Sequence, residues 1–264
     1  MLARSIRYHK SVLRPAALLL AFALVGRAQA SLENTGKPMH VPFECTEADT
    51  QASGLSCSEG EPCPVYLELT NIEAVGNKLF LPGNLHTPTT TLYSILLASD
   101  DAGKTWSEPH PRIRSSGLDL IQFIDFQNGW ISGANLQGAP RDPFLLLTTD
   151  GGKTWRQRPV YEDSRLGVIE RFWFDSPQDG TMLVDARLES NRHELYETRT
   201  GGESWSLVQA SVNSIRLPKA REASASGWRL RADAATNSYV VEKSEGGRWQ
   251  RVASFLVHIG SCKQ

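Results

Sequence analysis

Thr148-Thr149-Asp150-Gly151-Gly152-Lys153-Thr154-Trp155 is a turn set between two strand-like runs. A near copy, Ser99-Asp100-Asp101-Ala102-Gly103-Lys104-Thr105-Trp106, precedes it. Thr198-Arg199-Thr200-Gly201-Gly202-Glu203-Ser204-Trp205 follows, and Ser244-Glu245-Gly246-Gly247-Arg248-Trp249 is a shortened fourth copy. The Trp-to-Trp steps are 49, 50 and 44 residues, a period that marks one supersecondary unit repeated. The residue types explain the turn. An Asp carboxylate accepts hydrogen bonds from nearby backbone N–H groups. A following Gly takes positive φ without steric penalty. The Thr or Ser hydroxyl bonds back across the loop, and the Trp folds its ring against the sheet. Repetition favours a structural staple over a reaction centre. The structural set is Asp101, Gly103, Thr105 and Trp106; Asp150, Gly152, Thr154 and Trp155; Gly202, Ser204 and Trp205; and Gly247 with Trp249.

Outward from these turns, each repeat shows the same plan. In the second, an alternating run Ile121–Phe126 is followed by a Gln127-Asn128-Gly129 turn, a strand from Trp130 to Gly133, and a third run, Phe144–Thr149. Comparable runs are Val65–Thr70, Lys78–Leu81 and Leu92–Ser99 in the first repeat. The third has Glu170–Phe174, Gly180–Val184 and His193–Thr198. The fourth has Gly227–Arg231, Ser238–Lys243 and Arg251–Val257. Period-2 apolar runs between Gly, Asn and Asp turns predict strands and hairpins. The fold class is therefore all-β: a β-propeller of about four blades, each a four-stranded antiparallel sheet.

Ser99–Trp106 and Thr148–Trp155 resemble the Asp-box, or BNR repeat, of sialidases, sortilin-like receptors and many bacterial propellers. The flanking pattern Phe123-x-x-Phe126-x-x-Gly129-Trp130-x-x-Gly133 resembles propellers related to the photosystem II assembly and stability factor. The resemblance spans about residues 65–257, with Thr200 in place of Asp in the third copy and one residue missing before Trp249. It implies a propeller that binds protein partners and, more distantly, a sialidase-like glycoside hydrolase. A sialidase site needs a Tyr nucleophile, three arginines and an acid. Tyr161-Glu162-Asp163 with Arg112, Arg141 and Arg171 are the residues available, but Arg112-Ile113-Arg114 breaks that family's Arg-Ile-Pro signature.

The N-terminus carries an address. Arg4, Arg7, Lys10 and Arg14 precede the apolar run Ala16–Gly26 and an Ala28-Gln29-Ala30 cleavage pattern, which together read as a secretory signal peptide. Eleven apolar residues fall short of the roughly 20 that span a bilayer. The whole chain has 28 basic and 29 acidic residues; losing Arg4, Arg7, Lys10, Arg14 and Arg27 leaves 23 against 29, a net charge of −6. Such a chain has no electrostatic footprint for nucleic acid or for anionic lipid. The organisation expected is a signal peptide over residues 1–30, a cysteine-containing segment over 31–64, and the propeller over 65–264. The mature protein is expected in the periplasm or outside the cell, with a protein partner in the envelope and no span of its own across the membrane.

Four cysteines remain after cleavage: Cys45, Cys57, Cys63 and Cys262. They allow three pairings, and the oxidising compartment favours disulfides. The expected pairing is a local Cys57–Cys63 clip and a long Cys45–Cys262 bridge that latches the ring. The alternative, a metal site, lacks tight C-x2-C pairs. No cofactor or metal is expected. His40, His86, His110, His193 and His258 sit at no ligand spacing, and Asp100-Asp101 lack the oxygens that calcium requires. No Gly-x-Ser-x-Gly elbow, Walker loop or His-Glu-x-x-His occurs, so no catalytic residue is assigned. Binding is expected on the rim opposite the turns, in the loops Pro82–Thr91, Ala134–Pro143 and Asp185–Arg192. The candidate face there is Asn84, His86, Asn135, Arg141, Asp142, Asp185, Arg187, Arg192 and His193.

Overall fold

The computed structural model describes residues 31–216 and 227–263, so the leader expected over 1–30 lies outside the described residues. A two-residue strand β1 (Leu32–Glu33) and a helix α1 (Glu47–Ser53) come first. The first sheet holds β2 (Cys63–Leu69), β3 (Glu73–Val75), β4 (Lys78–His86) and β5 (Thr91–Ser99), and β6 (Thr105–Trp106) follows at its margin. β2 and β3 pair with the two halves of β4 on one edge and β5 pairs on the other. An Ala98–Ser107 bridge leads on towards β6. The second sheet is β7 (Ser116–Phe123), β8 (Gly129–Asn135), β9 (Arg141–Thr148) and β10 (Arg156–Pro159), antiparallel in chain order.

The third sheet is β11 (Val168–Phe174), β12 (Gly180–Asp185), β13 (His193–Thr198) and β14 (Ser206–Ser211), with a short helix α2 (Arg187–Ser190) before β13. The fourth is β15 (Trp228–Asp233), β16 (Ser238–Glu245) and β17 (Arg248–Leu256). A last strand, β18 (His258–Cys262), crosses to the free edge of β2. This is the expected all-β propeller architecture of four repeated antiparallel sheets.

The ends of the chain are laced into it. β1 pairs with β6 at the margin of the first sheet. Met39 bridges Phe255 in parallel, through Met39 N–H to Ser254 O at 2.8 Å and Leu256 N–H to Met39 O at 2.9 Å. That bridge borders the outer edge of β17. The stretch 31–64, read as a segment apart from the blades, is thus partly woven into two of them. Both expected disulfides are present, Cys45–Cys262 across 217 residues and Cys57–Cys63 across 6.

Three apolar cores join neighbouring sheets. One holds Val41, Leu67, Leu79, Trp106, Val241 and Phe255, between the fourth sheet and the first. A second holds Phe80, Leu96, Ile121, Ile131, Leu146 and Trp155, between the first and the second. The third holds Trp130, Leu145, Phe174, Met182 and Val184, between the second and the third. Among the described residues no such cluster joins the third sheet to the fourth.

The turns fold as their chemistry requires. Asp150 Oδ1 accepts from the N–H groups of Lys153 and Thr154 at 3.0 and 3.0 Å, and from the Thr148 hydroxyl at 2.9 Å. Its Oδ2 accepts from the Thr154 hydroxyl at 2.6 Å, and the Trp155 indole N–H donates to Gly152 O at 3.1 Å. Asp101 repeats the pattern with Lys104, Thr105 and Ser99, and Trp106 donates to Gly103 O. Gly152 has φ +81°, and a Cβ there would lie 2.5 Å from the Phe80 ring. In the third copy the Thr200 hydroxyl replaces the carboxylate and accepts from Ser204 N–H at 3.0 Å.

Two aromatic expectations are corrected. Trp249 does not bury its ring. It is 42% exposed, and the Arg229 guanidinium lies over it at 4.2 Å. With one residue fewer, the chain closes as a tight Gly246-Gly247 hairpin between paired Glu245 and Arg248. Phe126 does not extend the strand either and is 71% exposed. Asp125 Oδ1 captures the N–H groups of Gln127 and Asn128 at 2.7 and 2.6 Å, a local turn that ends the strand.

Candidate functional site

The turn carboxylates are committed to their own loops. Burial pushes Asp101 and Asp150 up, but the Thr105 donors with Ser99, and the Thr154 donors with Thr148, outweigh it and hold both carboxyls at about 2. Groups ionised this firmly staple a turn and are poor proton donors at neutral pH.

The predicted rim is narrower than its sequence bounds. β4 runs to His86, leaving only Thr87–Thr90 as a loop, and the next loop is Leu136–Pro140. Pro82 is tolerated inside β4 because its nitrogen faces the interruption between β2 and β3. Its carbonyl, on the same side, accepts from Thr70 N–H at 3.0 Å.

Most of the rim candidates serve their own neighbourhood. His86 Nδ1 is 2.9 Å from Thr87 O and the ring leans on Tyr66. Asn135 Oδ1 accepts from Gln137 N–H at 2.9 Å, and Asp142 Oδ1 from Arg165 N–H at 3.0 Å. Arg141 bridges to Leu166 through its backbone. Arg187 donates to both oxygens of Asp185, at 2.9 and 2.6 Å, and Arg192 O accepts from Ala186 N–H. His193 is buried, with Nδ1 3.3 Å from Glu170 Oε2 but off the line of a hydrogen bond.

The sialidase-type set does not assemble. Arg112 is held by Glu108 and by Pro42 O, Arg141 begins β9, and Arg171 lies exposed on β11. Tyr161 donates to Glu194 Oε2 at 3.2 Å under the Arg165 guanidinium. Burial, with Tyr196 and Glu194 alongside, pushes its phenol well up, the opposite of an activated nucleophile.

Asn84 is the rim residue with a different fate. As part of β4 it is 5% exposed and lines a cleft of about 280 Å³ where the first three sheets meet. Glu68 comes to this cleft from β2, Leu118 and Asp119 from β7, Ala134 from β8 and Ile169 from β11. Asn84 Nδ2 donates to Glu68 Oε2 at 2.8 Å. That bond fixes the amide orientation, and Asn84 Oδ1 is left buried with no donor among the described residues. Burial, and then the Glu68 charge, push the Asp119 carboxyl up. The cleft lining contains no Lys, Arg or His. The close approach of β2 and β4 depends on Gly83, where a Cβ would fall 2.0 Å from Glu68 O.

Glu68 and Asp119 were missed because each sits in an otherwise apolar strand run. A signal existed: Glu68, Asp119 and Glu170 recur at steps of 51 and 51 residues, in the first strand of three successive repeats. Among the described residues, no three His, Cys, Asp or Glu side chains gather as a metal set, and no helix is long and apolar enough to cross a membrane.

No family model matches the chain. It is 25% identical over 179 residues to the photosystem II assembly lipoprotein Ycf48 of Synechococcus sp. (strain CC9902), a match covering 65% of this chain and 40% of that protein. It is 33% identical over 70 residues to the oligoxyloglucan-reducing end-specific xyloglucanase of Emericella nidulans, covering 26% and 8%. The matches thus span less than half the length of these curated relatives. Among solved structures, a Ycf48 bound to D1 peptide aligns with TM-score 0.43 at 19% identity, over 72% of this chain and 56% of that one. The GH74 xyloglucanase of Xanthomonas campestris aligns with TM-score 0.39 at 15% identity, over 69% and 28%.

Proposed function

We propose that this chain is an exported, non-catalytic propeller that binds a protein partner in the cell envelope and acts as a scaffold or assembly factor. The observation that carries this reading is the division of its polar groups. The recurring turn carboxylates are consumed by their own loops, and the cleft across three sheets offers acceptors without a cationic side chain. Similarity over 179 residues to a protein named for photosystem II assembly supports the same reading. The repeated turns are assigned here as Asp-boxes, and residues 1–30 as a signal peptide cut after Ala30. Affinity capture of the tagged full chain from envelope extract of its own host tests the function. The expected result is one reproducible protein partner and a mature chain beginning at Ser31. Recovery of no partner, together with glycoside turnover, reverses it.

A second reading, glycan binding with glycoside hydrolysis, is favoured by one observation. Glu68 and Asp119 share a cleft, and Asp119 is held towards its protonated form, as in an acid–base carboxylate pair. Turnover of xyloglucan oligosaccharides that disappears in Asp119→Asn would establish it.

A further inference from the structure

The cleft between the first three sheets is unbalanced in hydrogen bonding and in charge. Its acceptors are the Glu68 and Asp119 carboxylates and Asn84 Oδ1. Two of its side-chain donors are engaged within the fold. The Thr70 hydroxyl is turned to the carbonyls of Pro82, Leu118 and Asp119 at 3.1, 3.0 and 3.2 Å, and Asn84 Nδ2 is held by Glu68. A buried acceptor without a donor is a standing penalty that an occupant supplying N–H groups relieves. Two nearby carboxylates with no cation between them repel, and the upward push of Glu68 on Asp119 reflects that. Ser132 also lines it, its Oγ accepting from Leu120 N–H at 2.9 Å, and the remaining walls are mostly apolar, with Leu118, Leu136, Val168 and Ile169. Apolar walls beside a donor-hungry anionic group match one kind of side chain, a methylene stem ending in a cationic donor head.

We propose that this cleft receives a lysine or arginine side chain of the partner protein, its stem against Leu118, Leu136 and Val168 and its head on Glu68, Asp119 and Asn84. The inference rests on the protein-binding reading given above and names the chemistry of the contact. A sugar would also donate hydrogen bonds, but it would leave the two negative charges uncompensated.

The test uses fluorescein-labelled heptapeptides of Gly and Ser that differ only at the centre, which is Lys, Arg, norleucine or Glu. Anisotropy titrations are run against the purified full chain. The Lys and Arg peptides are expected to bind at least tenfold tighter than norleucine, and the Glu peptide more weakly still. Glu68→Gln with Asp119→Asn is expected to remove the preference while the melting transition persists. Amide shifts in the unaltered protein, which do not depend on any variant folding, are expected to centre on Gly117, Gly133 and Ala134. Equal binding of the norleucine peptide, a preference that survives the double variant, shifts centred elsewhere, or displacement of the Lys peptide by calcium or a xyloglucan oligosaccharide would each overturn the proposal. An envelope partner captured equally well by the double variant overturns this inference alone and leaves the scaffold reading standing. Glycoside turnover would instead remove the scaffold reading.

Discussion

Two kinds of acidic residue behave in opposite ways here, and both depend on what surrounds the carboxyl. Asp150 lies in a polar turn that supplies four donors, so its ionised form is favoured and its folded carboxyl sits at about 2. A carboxyl lowered on folding contributes stability above its unfolded value and loses it as pH falls, here between about 4 and about 2. Asp150→Asn removes the charge from these bonds and is expected to cost about 1–2 kcal/mol in chemical denaturation at pH 7. Glu73, on β3, is 6% exposed at the junction of the first two sheets. Burial raises its carboxyl to about 7, against a weak opposing bond from Phe123 N–H at 3.3 Å. Its contribution runs the other way: it is complete below about 4.5 and is lost as pH rises to about 7. The difference amounts to roughly 3 kcal/mol. Glu73→Gln is expected to flatten that slope and to melt above the unaltered protein at pH 8, as read by calorimetry at pH 5 and pH 8.

At the scale of the hairpin, each turn tryptophan faces the junction with the preceding sheet. Trp106 meets Phe255 of the fourth sheet, Trp155 meets Phe80 of the first, and Trp205 meets Phe174 beside Trp130 of the second. Trp249 would face the third sheet, and there the described residues provide no apolar cluster. Its exposure follows from that as much as from the shortened turn. Trp155→Ala is accordingly expected to cost about 3–5 kcal/mol, and Trp249→Ala less than about 1 kcal/mol. Equal losses in urea unfolding would show that the four turns are equivalent after all.

The hairpins were legible in the sequence because their turns combine side chains with unambiguous roles at a fixed period. Glu68 and Asp119 were not, since a lone acid in an alternating strand reads as a solvated face. Only the packing of the first sheet, through β4, against β7 turns those two faces towards one cleft. Asn84, which the sequence places in a loop, stands in strand β4.

For the whole molecule, the question is how the last sheet is held to the first. The third and fourth sheets share no apolar cluster among the described residues, whereas the fourth and the first share one and the termini reinforce that junction. β18 pairs with β2, Met39 borders β17, β1 borders β6, and Cys45–Cys262 ties these strands covalently. The cysteine pairing was open in the sequence, which allowed three arrangements. The lacing by residues 31–64 was invisible because isolated bridges leave no periodic pattern. Cys45→Ser with Cys262→Ser is expected to cost about 5 kcal/mol, and hydrogen exchange should show β18 and β1 opening before β8 and β9. Uniform loss of protection would mean that the termini do not hold the fourth sheet to the first.

The proposed grip on a protein partner at the Glu68–Asp119 cleft is tested inside the host cell by a photo-crosslinking amino acid at Leu136, which lines that cleft. The expected result is a crosslink to one envelope protein, lost in Glu68→Gln/Asp119→Asn. A protein captured only from a probe at Leu207, on the exposed strand β14, with none from Leu136, would contradict it.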